Sequence, residues 1–282
     1  MKLLNFKLDD IERWGALTDD GIVDLMQATN NSIHTLGEAL NKLSISQIEQ
    51  LINDQISRVD EKSIEFLPVI TESNKILCVG LNYEEHRVEA DRPKTGEPTI
   101  FVRFASSQVG HEAPLILPKE SIEFDYEGEI AIIIGTAGRR ISEKDAWKHI
   151  AGYSLYNDGS IRDWQKHTSQ WTPGKNFDAT ASFGPYLVTR GEIKDGQILE
   201  LTTILNGKVM QNAKTDHLIF SIPTLINYIS SFCTLEPGDV IVTGTPGGVG
   251  FKRVPPIFMK PGDIVEVQAP GLGTLRNTIV SE

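Results

Sequence analysis

The sequence predicts an α+β chain dominated by β structure, a mixed β-sandwich roll with peripheral helices and a small N-terminal domain. Three observations lead there. From Lys75 onward, short β-branched runs are separated by Gly and Pro. Helical periodicity is confined to a few isolated segments, and helices do not alternate with strands as a doubly wound α/β sheet requires. At 282 residues the chain can bury a sizeable core.

The elements follow in order. Residues 1–70 open with strand-like pieces at 2–7 and 21–25, then two stretches, 33–43 and 46–56, with apolar residues at helical spacing such as Ile45, Ile48, Leu51, Ile52 and Ile56. This segment reads as a small accessory domain ahead of a catalytic domain over 71–282. Ile76-Leu77-Cys78-Val79 is a compact apolar run of the buried-strand type. The continuous β-branched run from Glu129 to Gly135 predicts burial on both faces. Residues 199–210 read as a hairpin turned at Asn206-Gly207, a pair that suits a type I′ turn. Residues 221–232 form the clearest helix, capped by Ser221, with Pro223 in the first turn and Ile222, Leu225, Ile226, Ile229 and Phe232 on one face. Pro237-Gly238-Asp239 and Pro261-Gly262-Asp263 are turns that each feed a strand.

Composition narrows the function. Thirty-eight Asp and Glu against 27 Lys and Arg leave a net charge of −11, which argues against phosphate-driven nucleic-acid binding. No apolar run approaches the roughly 18 residues of a membrane span, and the N-terminus turns acidic too early for a signal peptide. Cys78 and Cys233 stand far apart with no partner motif. A cytoplasmic protein handling small molecules is the expectation.

Phe124-Asp125-Tyr126-Glu127-Gly128-Glu129 is the most informative stretch. Glu127 and Glu129 are two apart at the start of a strand, so both carboxylates share a face. Most such pairs are solvated strand edges, but the apolar run that follows argues for burial here. Asp158, in Asn157-Asp158-Gly159-Ser160, is a turn residue alone and a third acid in company; Arg162 and Asp163 just beyond are expected to pair locally. Three carboxylates with no suitably spaced His or Cys favour a hard cation, Mg²⁺ or Mn²⁺.

In Tyr83-Glu84-Glu85-His86-Arg87-Val88-Glu89, His86 and Glu89 are spaced i, i+3, which on a helix sets a carboxylate beside an imidazole as a general base needs. The same spacing also describes a charged surface helix. The other five histidines have no comparable partner. Lys175, after the Pro173-Gly174 turn, is either an exposed loop residue or a group that steadies an oxyanion. The glycine-rich Thr243–Gly250 lacks a Gly-Lys-Ser/Thr ending, and no G-x-G-x-x-G opens a helix, so nucleotide binding is not indicated. Its glycines suit a backbone held close to a ligand.

Taken together, Gly80-Leu81-Asn82-Tyr83 with His86 and Glu89, Tyr126-Glu127-Gly128-Glu129, Asn157 to Asp163, Gly174-Lys175-Asn176-Phe177, Phe183-Gly184-Pro185, Asn206-Gly207 and Thr243 to Gly250 resemble, in matching order, the fumarylacetoacetate hydrolase family. The resemblance covers roughly residues 75–282 and points to its acylpyruvase-like and 2-hydroxyhepta-2,4-diene-1,7-dioate isomerase-like branch. It implies a β-sandwich roll, usually dimeric, with Mg²⁺ or Mn²⁺ held by Glu127, Glu129 and Asp158. It further implies a water-activating His86–Glu89 dyad on a mobile lid, and oxyanion stabilisation by Lys175 and Gln165. Substrate contacts are implied for Thr245, Tyr83 and Arg103. Arg103 stands where many members have Lys, and Leu81 where some acylpyruvate-cleaving members have Arg.

The reaction first expected from the resemblance is hydrolysis of a C–C bond in a 2,4-dioxo acid, through a pyruvate-type enolate. A decarboxylase or isomerase of 2-oxo acids on the same scaffold is the alternative, and a metal-holding module without catalysis the least favoured.

Overall fold

The computed structural model describes residues 1–282. The chain opens with β1 (Lys2–Leu8), β2 (Ile11–Thr18) and β3 (Gly21–Asp24), then helices α1 (Leu25–Ala28), α2 (Leu36–Lys42) and α3 (Ile45–Asn53). Next come β4 (Glu65–Phe66), β5 (Ile76–Gly80), α4 (Glu84–Glu89), β6 (Thr99–Arg103), β7 (Gln108–Val109), β8 (Leu115–Leu117) and β9 (Phe124–Asp125). The centre holds β10 (Gly128–Ile134), β11 (Ile150–Asn157), β12 (Ser160–Ile161), α5 (Arg162–Gln165), α6 (Thr172–Lys175) and β13 (Ala181–Thr189). The remainder is β14 (Glu200–Leu205), β15 (Lys208–Lys214), α7 (Ile222–Phe232), β16 (Val240–Val242), β17 (Ile264–Ala269) and β18 (Gly273–Ser281).

Eleven strands form one mixed sheet in the order β3-β2-β1-β13-β11-β10-β16-β5-β6, with β4 on β1 and β7 on β13. A second sheet runs β15-β14-β17-β18-β8, and β9 pairs with β12 in a short ribbon. The β10 run is buried throughout, as its β-branched sequence predicts. Alternate β10 side chains enter two cores. Ile130, Ile132 and Ile134 pack with Leu201, Val267 and Leu275 of the second sheet and with Leu225, Ile226 and Ile229 of α7. Ala131 and Ile133 pack on the opposite face with Leu36, Leu40 and Ile48 of α2 and α3.

The N-terminal segment, residues 1–70, extends the sheet of the rest of the chain. β1 pairs antiparallel with β13, Leu3 opposite Leu187, and Leu3, Trp14 and Leu25 share one core with Phe183 and Val240. Helix starts follow the expected chemistry. The side chains of Thr35, Ser44 and Ser221 accept backbone N–H groups of α2, α3 and α7, and Ser44 completes a capping box with Gln47. At the predicted hairpin turn, Asn206 and Gly207 have φ of 51° and 77°.

Strand direction positions the site. β10 runs antiparallel to β11 and β16, and β16 runs parallel to β5. The start of β10 and the ends of β11, β16 and β5 therefore meet at one margin of the sheet. The segments carrying the two Glu, Asp158, Thr245 and α4 all leave from there. No helix is long and apolar enough to cross a membrane.

Candidate active site

The pairing of β10 with β11 sets Gly128 opposite Asn157. Just outside that pair, the Asp158 N–H donates to Glu127 O at 2.8 Å, and the Glu127 N–H to Asn157 Oδ1 at 3.0 Å. Two residues from one strand and one from its neighbour thus converge. Glu127, Glu129 and Asp158 each offer a carboxylate oxygen, all within 4.8 Å of one another, and all three side chains are buried. Three oxygen donors without nitrogen or sulfur fit a hard divalent cation.

Fixed cations surround the acids. Lys175 Nζ lies 2.7 Å from Glu127 Oε2 and 2.6 Å from Asp158 Oδ2. Arg162 forks between Asp125 Oδ2 at 2.8 Å and Glu127 Oε1 at 2.7 Å. Arg103 donates to Asp158 Oδ1 at 2.5 Å and to Gly159 O at 2.9 Å. Four buried carboxyl groups, Asp125, Glu127, Glu129 and Asp158, therefore face three buried cations, Arg103, Arg162 and Lys175. With all four acids ionised the cluster carries 3 − 4 = −1, and a dication would make it +1.

Titration follows these neighbours. Burial opposes ionisation of Glu127, but Arg162 and then Lys175 hold its carboxyl well below the usual range. Glu129 is pushed up, by burial first and then by the charges of Asp158 and Glu127. Burial lowers the affinity of the Lys175 amine for its proton; Asp158 and Glu127 outweigh that, so its value rises and the ammonium persists. The loop alternative for Lys175 is thereby removed, since its side chain is 1 % exposed. Its placement depends on Gly174, where a Cβ would lie 2.3 Å from Gln165 N, so only glycine lets α6 press against α5.

A cavity of about 610 Å³ opens over the cluster, lined by Glu127, Glu129, Lys175, Gln165, Thr245 and His86 among others. His86 sits on α4 with its Nδ1 2.9 Å from Glu89 Oε1, and Glu89 Oε2 accepts the Gly248 N–H at 3.0 Å. Glu89 therefore orients the imidazole and ties α4 to the glycine-rich loop at once. Gln165 accepts from Arg162 at 2.9 Å through Oε1, which leaves its amide NH₂ as a donor. The Thr245 hydroxyl donates to Gly128 O at 3.0 Å and accepts from Gln211 Nε2 at 2.8 Å.

Two residues expected at the substrate are placed elsewhere. Arg103 is not part of the cavity wall; its guanidinium is spent on Asp158, Gly159 O, Thr180 Oγ1 and Ser107 Oγ, so it supports a candidate metal ligand instead of gripping a carboxylate. Tyr83 is 1 % exposed, bridges Leu218 and also lies off the wall, its buried hydroxyl without a hydrogen-bond partner. Arg162 does not pair with Asp163, whose Oδ1 instead accepts from Ser121 at 2.6 Å.

Sequence reasoning missed Asp125 and Gln211, and gave Arg162 only a local partner in place of Asp125 and Glu127. Asp125 had a signal: the period of two that groups Glu127 with Glu129 extends back to it. Buried, it accepts from Arg162, Gly250 N–H and Phe251 N–H. Gln211 had none, because its partners Gly128, Thr245 and Pro246 all lie far from it along the chain.

Comparison with known proteins identifies the family. The model of a family described as fumarylacetoacetate (FAA) hydrolase C-terminal matches residues 75–280. Oxaloacetate tautomerase FAHD2A, mitochondrial, of Bos taurus is 39% identical over 264 residues, 92% of this chain and 84% of that protein. The fumarylacetoacetate hydrolase of the psychrophile Exiguobacterium antarcticum superposes with a TM-score of 0.87 at 31% identity, covering 100% of both chains. The maleylpyruvate hydrolase of Sphingobium sp. SYK-6, solved with manganese(II) and pyruvate, gives 0.83 at 25% identity, over 100% of this chain and 99% of that one.

Proposed function

Since this chain belongs to the fumarylacetoacetate hydrolase family, we propose that it is a divalent-metal-dependent enzyme that interconverts the enol and keto forms of an oxaloacetate-like 2-oxo acid. The observation that carries the reading is one cavity lined by Glu127, Glu129, Lys175 and His86, with Asp158 buried against the two glutamates and Glu89 bonded to the imidazole. The relative named an oxaloacetate tautomerase, 39% identical, supports this reading over C–C hydrolysis.

Glu127, Glu129 and Asp158 would hold Mg²⁺ or Mn²⁺, which supplies Lewis acidity toward the 1-carboxylate and 2-oxygen of the substrate. The neighbour solved with manganese and pyruvate supports the choice of ion and of ligand class. Ketonisation takes one proton off the 2-hydroxyl and puts one on C3. His86, oriented by Glu89, delivers the proton to C3, the hydroxyl proton passes to water, and water returns a proton to the imidazole. Lys175 and the Gln165 amide face the oxygen on which negative charge builds during that transfer.

A second reading, hydrolysis of an acylpyruvate, is favoured by the same dyad, whose imidazole borders a cavity with room for a water beside the substrate. The homodimer implied by the resemblance belongs to the proposal too, and light scattering tests it.

The discriminating experiment follows the decay of enol-oxaloacetate absorbance with Mn²⁺, with and without the protein, beside release of pyruvate from acylpyruvates. Ketonisation well above the Mn²⁺ background, lost in His86→Ala, supports the first reading. Pyruvate release without ketonisation moves the assignment to hydrolysis, and neither activity overturns both.

A further inference from the structure

The pairing of β16 with β10 ends at Ala131↔Val242, and Thr243 reaches Ile130 O through both its N–H and its hydroxyl. Beyond that point the chain swings away at Gly244, and Gly128 is buried with no strand on this side. Buried backbone N–H and C=O groups need partners. Here two side chains supply them: Gln211 Oε1 accepts the Gly128 N–H at 3.0 Å, and Thr245 Oγ1 donates to Gly128 O at 3.0 Å. The other end of the same amide, Gln211 Nε2, donates to Thr245 Oγ1 at 2.8 Å and to Pro246 O at 2.9 Å. Because the Gly128 N–H can only donate, the orientation of the Gln211 amide is fixed, and with it the direction of the Thr245 hydroxyl.

The Gly128 N–H belongs to the peptide unit that joins Glu127 to Gly128, and its C=O to the unit that joins Gly128 to Glu129. Both units linking the two acids are thus held from one side by a closed ring of Gln211, Thr245 and Gly128. We propose that Gln211, 1 % exposed on β15 of the second sheet, is a positioning residue of the metal centre. It sets the separation of Glu127 and Glu129 and turns the Thr245 hydroxyl away from the cavity, so that Thr245 meets a ligand as an acceptor. The inference rests on the metal-site reading above.

The test is Mn²⁺ affinity, measured by calorimetry on variants whose circular dichroism matches the unaltered chain. Gln211→Met keeps length and removes both hydrogen-bonding ends; it is expected to weaken Mn²⁺ about tenfold, the usual scale for a residue that orients a ligand. Thr245→Ser keeps the hydroxyl and is expected to stay within about twofold, whereas Thr245→Val weakens binding like Gln211→Met. The double variant Gln211→Met/Thr245→Val is expected to lose less than the product of the singles, because both break one ring. Full affinity in Gln211→Met, or losses that multiply, overturns the inference while leaving the metal site standing. If the unaltered chain binds no Mn²⁺, the metal reading and this inference fall together.

Discussion

Lys175 Nζ lies 2.6 Å from Asp158 Oδ2 with both side chains closed to solvent. The same nitrogen is 2.7 Å from Glu127 Oε2, so a protein cation bridges two of the three clustered acids. A buried ammonium on two carboxylates offsets their repulsion when no dication is bound, and leaves a fixed positive charge beside the substrate when one is.

Replacing that ammonium separates the two roles. Lys175→Met is expected to bind Mn²⁺ at least as tightly as the unaltered chain, since a like charge next to the ion is gone. Turnover is expected to fall about 100-fold, the scale of losing one oxyanion donor. A calorimetric titration beside steady-state kinetics reads both. Collapse of Mn²⁺ affinity would make Lys175 an assembly residue instead.

Glu129 sets the pH dependence. Its carboxyl is pushed up by burial, then by Asp158 and Glu127, so a dication must displace a proton from it. Mn²⁺ affinity should rise with pH until Glu129 ionises freely, with one proton released per ion bound below that point. For the metal-free chain the sign follows from a folded value above the unfolded one. Its contribution to stability is complete below the ordinary Glu value of roughly 4.3 and is lost as pH rises through the folded value. Melting temperature measured against pH in chelator should fall across that window, and Mn²⁺ should abolish the fall.

Arg103 tests support against recognition. Arg103→Met leaves Asp158 Oδ1 unpaired in the core while Lys175 still holds Oδ2, and should cost about 1–3 kcal/mol in a denaturant titration. Arg103→Lys keeps the charge but cannot span Asp158, Gly159 O and Thr180 Oγ1 together. It should weaken Mn²⁺ and leave KM unchanged once metal is saturating. A raised KM with normal Mn²⁺ affinity would restore the substrate contact expected from the resemblance.

Gly128 of the main sheet packs against Thr203 of the second sheet. A Cβ there would lie 2.0 Å from Thr203 Oγ1, so Gly128→Ala should cost about 1–3 kcal/mol by overpacking. Thr203 Oγ1 has no hydrogen-bond partner, so Thr203→Ala should be mild. The double variant should recover more than half of the loss, which thermal melts of the four proteins would show.

Much of the site was legible because its signals are local. Glu127 and Glu129 share a face by the period of a strand, His86 and Glu89 by the turn of a helix, and each motif stands on contiguous residues. Arg162 was misread for the opposite reason. Asp163 is its neighbour in sequence, but the start of α5 turns the guanidinium toward Asp125 and Glu127, which lie far earlier in the chain. For Arg103 too only the charge was visible, whereas the direction it faces depends on β6 lying at the edge of a sheet whose order is not sequential.

The sequence by itself determined the β-rich class, the helical segments read at 33–43, 46–56 and 221–232 and found at 36–42, 45–53 and 222–232, the hairpin at Asn206-Gly207 and the acids of the triad. Periodicity and turn chemistry act over a few residues and need no knowledge of what packs against them. Only the tertiary structure decided that the N-terminal segment completes the main sheet, that three buried cations face four buried acids, and that a glutamine from the other sheet closes the ring on Gly128. Strand order and sheet stacking bring together groups that are distant along the chain, and nothing in the local pattern of a sequence records which partner a buried charge or amide will meet.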